Sequence, residues 1–274
     1  MPNAYFEDKL LDARPDRLDI RDREYRPVLR SLPQQWPSQS DLDELLPGYT
    51  KSGLILDQKQ DGACTGFGLA SVINYLIWLD EVHKHAKIEP LNRLKNRQVS
   101  PKMLYNMARL YDEWDGEDYE GSSCRGAMKG WHRHGVASRE AWTDDNKRSK
   151  HWPTEAVKNT LGAYYRINKD SVTDMQSAIR EVGAIYCSAS IHKGWWVRRG
   201  SQLQIIKQAG DIAGAHAFAL VGYNSDGFII QNSWGSHWGY QGFAVLSYAD
   251  WVENGNDAWG GTGRSHKKPL TADF

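Results

Sequence analysis

Asp57-Gln58-Lys59-Gln60-Asp61-Gly62-Ala63-Cys64-Thr65-Gly66-Phe67-Gly68 sets one cysteine at the head of a long apolar run. The run carries Leu69, Ala70, Val72, Ile73, Tyr75, Leu76, Ile77, Trp78 and Leu79 almost without interruption. A surface helix shows a single apolar stripe, so this pattern predicts a helix covered on every side. Cys64 then stands at the mouth of a buried central helix. The unpaired N–H groups and the positive end of the helix dipole there favour thiolate over thiol. A lone cysteine is by default a small buried hydrophobe. The glycines on both sides of Cys64 argue against that default, because they let other backbone come close.

With 274 residues, 40% of them hydrophobic, and a formal net charge of zero, the chain can bury a full core in one large or two small domains. A neutral balance without a long Lys/Arg run gives no electrostatic footprint for nucleic acid or an anionic membrane, which sets both aside as primary ligands. No secretory or membrane-spanning apolar segment is read anywhere in the chain. Cys64, Cys124 and Cys187 are too few for a disulfide framework. A cytoplasmic monomer in a reducing compartment is the expectation, with leaderless export leaving no trace in sequence. No cofactor or metal is expected. The pairs His83/His85 and His132/His134 lack Cys or carboxylate partners at ligand spacing, and Asp112–Glu120 lacks the regular spacing of a calcium loop, so these read as surface histidines and a solvated loop. Trp195-Trp196 reads as packing.

Residues 1–31, rich in Arg and Asp, predict an extended surface arm, a pro-segment or a stabilising extension. From residue 32 the composition becomes that of a folded domain. A short helix over 41–46, broken by Pro47-Gly48, precedes the central helix, and a solvated connection covers 83–97. Ser100-Pro101 opens a second amphipathic helix, and a third spans Ala127–His134, stopped by Gly135. From about residue 161 strands alternate with one helix: 164–167, the helix 172–182, then 184–191, 214–223, 228–232 and 243–246. Ser225-Asp226-Gly227 makes a hairpin turn. Residues 251–274 read as a tail. The class is α+β: a helical lobe at about 53–160 faces an antiparallel, barrel-like lobe at about 161–250, with a cleft between them.

A cysteine nucleophile needs a base, a group that fixes the tautomer of that base, and donors for an oxyanion. His216 opens one predicted strand and Asn232 closes its hairpin partner, so the two meet locally; Gln58 precedes Cys64 by six residues. An amide oxygen accepting from one ring nitrogen leaves the other for the thiol.

These residues resemble the papain-like cysteine peptidases (family C1), of a bacterial type without the common disulfides. The resemblance rests on Gln58 to Cys64, on Gly214-Ala215-His216-Ala217 with Val221-Gly222-Tyr223, and on Asn232-Ser233-Trp234-Gly235 with Trp238-Gly239 and Gly242-Phe243. It covers roughly Leu32 to Leu246 and makes 32–274 a catalytic domain. It implies a two-lobed endopeptidase acting on peptides or proteins through a thioester. Cys64 would be the nucleophile, His216 its partner, Asn232 the orienting group, Gln58 the oxyanion donor, and Trp234 the cover over the Asn232–His216 contact at the substrate cleft. Gly121-Ser122-Ser123-Cys124-Arg125-Gly126 loosely resembles the substrate-contacting Cys-x-Gly-Gly segment. That adds Gly126 and Ala127 to the binding residues, beside Gly214 and Ala215, which leave the pocket floor uncharged. Two positions depart from the family. Thr65 stands where an aromatic residue is expected, and Asp61 where secreted relatives carry a pairing cysteine. Thr65 keeps open a catalytically silent peptide-binding module; thiol chemistry ending in transpeptidation or deamidation is a further alternative. No long helical leader is read ahead of residue 32, which leaves the arm as the candidate self-inhibitor.

Overall fold

A computed structural model describes residues 9–28, 39–85, 91–114 and 120–263. The first half holds β1 (Ala13–Arg14), α1 (Gln39–Lys51), α2 (Cys64–His85), α3 (Pro101–Leu110), β2 (Ser122–Ser123), α4 (Cys124–His134) and the short α5 (Trp152–Ala156). The second half holds β3 (Leu161–Arg166), α6 (Val172–Val182), β4 (Ile185–His192), β5 (Ile212–Tyr223), β6 (Gly227–Gln231), β7 (Phe243–Ser247), α7 (Tyr248–Asn254) and β8 (Gly255–Gly263). Its strands form one antiparallel sheet in the order β3-β8-β4-β5-β6-β7.

The helix starts follow local chemistry. Ser100 Oγ accepts the Met103 N–H at 3.0 Å with Pro101 at the first turn, and Ser123 and Ser171 cap α4 and α6 in the same way. Gly135 and Gly183, at φ 69° and 89°, end α4 and α6 in a conformation that side chains disfavour. α2 is buried without a break from Cys64 to Leu76, as its all-round apolar run requires. It lies between α3 and β5. A Cβ on Gly66 would fall 2.3 Å from Pro101 O and one on Gly68 2.7 Å from Ala217 O, so the two glycines bring main chain against main chain on both sides.

Three segments differ from the sequence expectation. α1 runs through Pro47-Gly48 instead of stopping there, because Leu46 and Tyr49 are core residues and Tyr49 packs edge-on against Trp78. The polar stretch after Leu79 continues α2 to His85, supported by a Lys84–Asp80 ion pair one turn apart at 2.5 Å. Residues 251–263 are not a tail: they complete α7 and form β8, an internal strand between β3 and β4, with Ala258 and Trp259 buried. Its glycines hid it from a propensity reading. Gly260 accommodates the Tyr165 ring, which a Cβ would meet at 2.3 Å. Part of the acidic stretch 112–120 and the segment 264–274 lie outside the described residues.

The arm is more deeply engaged than a surface extension. β1 pairs in parallel with β2, and Asp12 bridges in parallel to Ala215. Farther along, Asp16 Oδ1 accepts the Arg125 N–H at 2.9 Å, Asp16 Oδ2 accepts the Trp259 indole N–H at 2.7 Å, and the Asp16 N–H donates to Asp257 Oδ2 at 3.0 Å. Asp22 takes two bonds from the Arg125 guanidinium, 3.1 and 2.5 Å, and Tyr25 stacks on Tyr165 at 5.2 Å. Arg125 is fully buried and also holds Glu113 at 2.6 Å, so it joins the arm to the helical half. Removing one member of a buried ion network leaves the others charged and unpaired. Arg125→Met is expected to lower stability by about 3 kcal/mol, read as a shift in the urea unfolding midpoint.

Candidate active site

The chain brings four of the sequence-selected side chains together. Segment 56–58 pairs with the loop after β6: the Gln58 N–H donates to Ser233 O and the Gly235 N–H to Leu56 O, both at 2.9 Å. Gln58 Nε2 donates to Asp61 O at 3.0 Å, which fixes the flip of that amide, and Ser233 Oγ donates to Gln58 Oε1 at 2.8 Å. An amide nitrogen carries two hydrogens, so one remains for an incoming oxygen. Asn232 Oδ1 accepts the Ser233 N–H at 2.8 Å, which marks it as an acceptor. His216 Nε2, 2.9 Å from the same oxygen, is therefore the protonated nitrogen. His216 Nδ1 has no hydrogen-bond partner among the described residues. Cys64, fully buried at the first turn of α2, receives the backbone N–H of Ala217, the residue after His216.

Trp234 is 5% exposed and lies over His216, with ring centroids 4.9 Å apart, so it covers the imidazole more than it lines the cleft. Trp195 stands 6.4 Å from both rings, and its carbonyl accepts the Trp238 indole N–H at 2.7 Å. Sequence reasoning gave Trp195 to packing and gave Ser233 no role. Ser233 was within reach, since it sits inside the quoted Asn232–Gly235 block.

Gly126 and Ala127 are placed elsewhere. Both are buried inside α4; the Gly126 N–H is taken by Ser123 Oγ at 3.1 Å, and a Cβ there would lie 2.8 Å from Ala108 O. The extended main chain at the cleft is Gly121–Ser123, because the Ser123 cap starts the helix early. Gly214 and Ala215 lie against the arm: the Ala215 N–H donates to Leu11 O at 3.2 Å, and a Cβ on Gly214 would fall 2.4 Å from that oxygen. On the opposite wall, Leu10 Cδ2 lies 2.6 Å from where a Gly62 Cβ would be, and the Gly121 N–H donates to Asp12 Oδ2 at 3.1 Å. The arm thus lies between Gly62 and Gly121 on one side and Gly214 and Ala215 on the other.

Its presence changes the electrostatics. Burial pushes the Cys64 thiol up to about 11, against the Ala217 N–H and with help from the Asp12 carboxylate. Burial likewise pulls His216 down to about 4, against its bond to Asn232 and with help from the Lys9 ammonium. Both arm charges have the sign that opposes a thiolate–imidazolium pair. Lys9 is held by Asp57 at 3.3 Å. Asp61, in the place of a pairing cysteine, makes a 2.5 Å ion pair with Lys102, and all three cysteines are free and buried. Among the described residues no group of three or more His, Cys, Asp or Glu side chains is gathered for a metal, and no helix is long and apolar enough to cross a membrane.

Comparisons with known proteins show the family and the fold. The family model "Papain family cysteine protease" matches residues 53–256, and the chain belongs to that family. The match reaches into β8, the strand that the sequence hid. An uncharacterized peptidase C1-like protein of Acanthamoeba polyphaga mimivirus is 27% identical over 210 residues, 70% of this chain and 64% of that relative, so the chain spans less than two thirds of the relative's length. Among solved structures, xylellain, a cysteine protease from Xylella fastidiosa, superposes with a TM-score of 0.68 at 20% identity, covering 92% of this chain and 95% of that one. A procathepsin B from Trypanosoma congolense gives a TM-score of 0.64 at 16% identity, with 94% and 87% covered. At these identities the structures support the papain-like fold alone.

With the arm docked, iodoacetamide should alkylate Cys64 slowly at neutral pH. Replacing Lys9 by Ala together with Asp12 by Asn is expected to raise that rate several-fold while Cys124 and Cys187 stay unmodified, as read by peptide mass mapping.

Proposed function

We propose that the chain is an endopeptidase that forms a thioester with its substrate. The observation that carries this reading is the His216–Asn232 pair, oriented through Asn232 Oδ1 with Nδ1 unpartnered, beside a strand residue whose N–H meets the Cys64 sulfur. In the open cleft, Cys64 gives its proton to His216 Nδ1, and the thiolate attacks the peptide carbonyl. The oxyanion is met by the free hydrogen of Gln58 Nε2 and the Cys64 N–H. His216 returns the proton to the leaving amine as the C–N bond breaks. Water, deprotonated by His216, then releases the acid and restores the thiol. The arm supports the endo-acting reading, since Lys9 to Arg14 crosses the cleft as the interior of a chain that continues beyond it.

Cleavage-site profiling on a denatured protein tests the proposal. Internal cuts that vanish with Cys64→Ala are expected. Gln58→Ala should lower kcat/KM by about 10²-fold, and Asn232→Ala should lower it less than Cys64→Ala does. Intact substrate with no Cys64 adduct would instead mark a silent binding module, and ligated or one-dalton-shifted products a transpeptidase or deamidase.

The arm is, in the same proposal, a latent inhibitor whose hold depends on pH. Asp16 faces Asp257 and Trp259 from β8 and Arg125 from α4, while Arg166 of β3 holds Asp257 at 2.6 Å. Burial first, and then the Asp257 carboxylate, push Asp16 up to about 7, from the ordinary carboxylate value of 3.8. The docked arm therefore binds a proton that the released arm sheds. Docking is tightest below about pH 4 and weakens by up to tenfold per pH unit until about 7, where the dependence ends. A lag before activity that shortens from pH 5 to 7, and flattens in Asp16→Asn, is the expected outcome in progress curves.

A further inference from the structure

Thr65, the residue that departs most from the family pattern, is tied on both sides. Its Oγ1 lies 2.5 Å from Ser122 Oγ, and its carbonyl accepts the Tyr186 hydroxyl at 2.7 Å. Thr65 and Ser122 are fully buried, and Tyr186 is 1% exposed. Ser122 is the middle of the extended stretch Gly121–Ser123, and it is the residue in register with Ala13 of the docked arm. The ends of that stretch are fixed separately: Gly121 O accepts from Arg109 at 2.8 Å, and Ser123 Oγ caps α4. The centre is held from below by Thr65.

We propose that Thr65 is a positioning residue: its hydroxyl contact with Ser122 sets the height of Gly121–Ser123 above the first turn of α2, and so the register in which an extended polypeptide is held against Cys64. The proposal rests on the peptidase reading. Tyr186 fixes the Thr65 main chain, so the side chain has one place to reach, and a short hydroxyl fills it. A bulkier residue would have to push β2 outward, since Thr65 has no exposed surface into which to turn. A residue of the same shape without the hydroxyl would leave Ser122 Oγ buried with its partner lost. Either change would act on how substrate backbone is held, while Cys64, His216, Asn232 and Gln58 keep their own partners.

The test compares two reagents on the same thiol in the full chain. A peptidyl chloromethyl ketone needs the cleft strand to reach Cys64, whereas iodoacetamide needs only access, so the ratio of their second-order rates separates positioning from opening of the arm. In Thr65→Val the ratio is expected to fall roughly tenfold, the effect of one lost hydrogen bond. Thr65→Ser should restore it, and peptide hydrolysis should show the loss in KM with kcat little changed. Ser122→Ala should match Thr65→Val, and the double variant should fall no further. Should Thr65→Val fail to fold, Ser122→Ala removes the same contact from the other side and carries the same expectation. An unchanged ratio, a fall that Ser does not restore, or additive losses would overturn the positioning role while leaving the peptidase intact. A chain with Thr65 intact and the arm charges removed, in which neither reagent reaches Cys64, would overturn the peptidase reading and this proposal with it.

Discussion

The main chain of α2 meets the main chain of β5 at Gly68, and the place of Cys64 against β5 depends on that approach. With a Cβ in the way, the helix would have to move off Ala217 O, and the sulfur of Cys64 would leave the Ala217 N–H it now receives. Gly66 does the same against Pro101 O on the other side, so the helix is wedged between two backbones and cannot give ground to either. A helix buried all round gains its stability from tertiary packing. Here that packing also decides where the thiol stands relative to His216, one residue before the contact.

The docked arm acts on Cys64 and His216 through charge. A thiolate–imidazolium pair needs water or compensating dipoles around it; both residues are fully buried, and the arm adds charges of the opposing sign, Asp12 near the thiol and Lys9 near the imidazole. Withdrawal of a few residues would reverse both effects together. The arm is also held in the direction it runs: its parallel bridges to β2 and β5 use the cleft's own backbone groups.

The central helix, the amphipathic helix 172–182 and the β5–β6 hairpin were legible because their periodicity is strong and their ends carry Ser, Gly or Asn-Gly-type signals. Gln58 with Cys64, and His216 with Asn232, were legible as two local pairs, the first by spacing and the second by strand pairing, whatever the rest of the chain does. β8 was not, since a strand with glycines at 255, 260, 261 and 263 shows no propensity of its own and exists because β3 and β4 leave a gap for it. Gly126 and Ala127 show a different limit. A motif copied in order can be displaced by one capping serine, and Ser123 starts the helix before the glycine that the motif would place in the cleft. The arm's position was not legible either, because its contacts are single side chains, Asp12, Asp16 and Asp22, each meeting a partner more than a hundred residues away.

Those long-range contacts join the arm to the wall of the cleft. Asp257 accepts the Asp16 N–H and also the Ser188 hydroxyl at 3.1 Å, and Tyr186 donates to Thr65 O at 2.7 Å, with the buried Cys124 thiol beside both hydroxyls. Burial keeps the Cys124 thiol protonated, so its one proton can go to only one of the Ser188 and Tyr186 oxygens, each of which has given its own proton elsewhere. A continuous line of polar groups therefore runs from the arm's buried carboxylate to the residue beside the nucleophile. Its members are at most 2% exposed from Thr65 to Asp257, so a change of charge at the arm's end is poorly screened along the way. The anchor that holds the arm and the residue that holds Ser122 are thus linked through buried side chains.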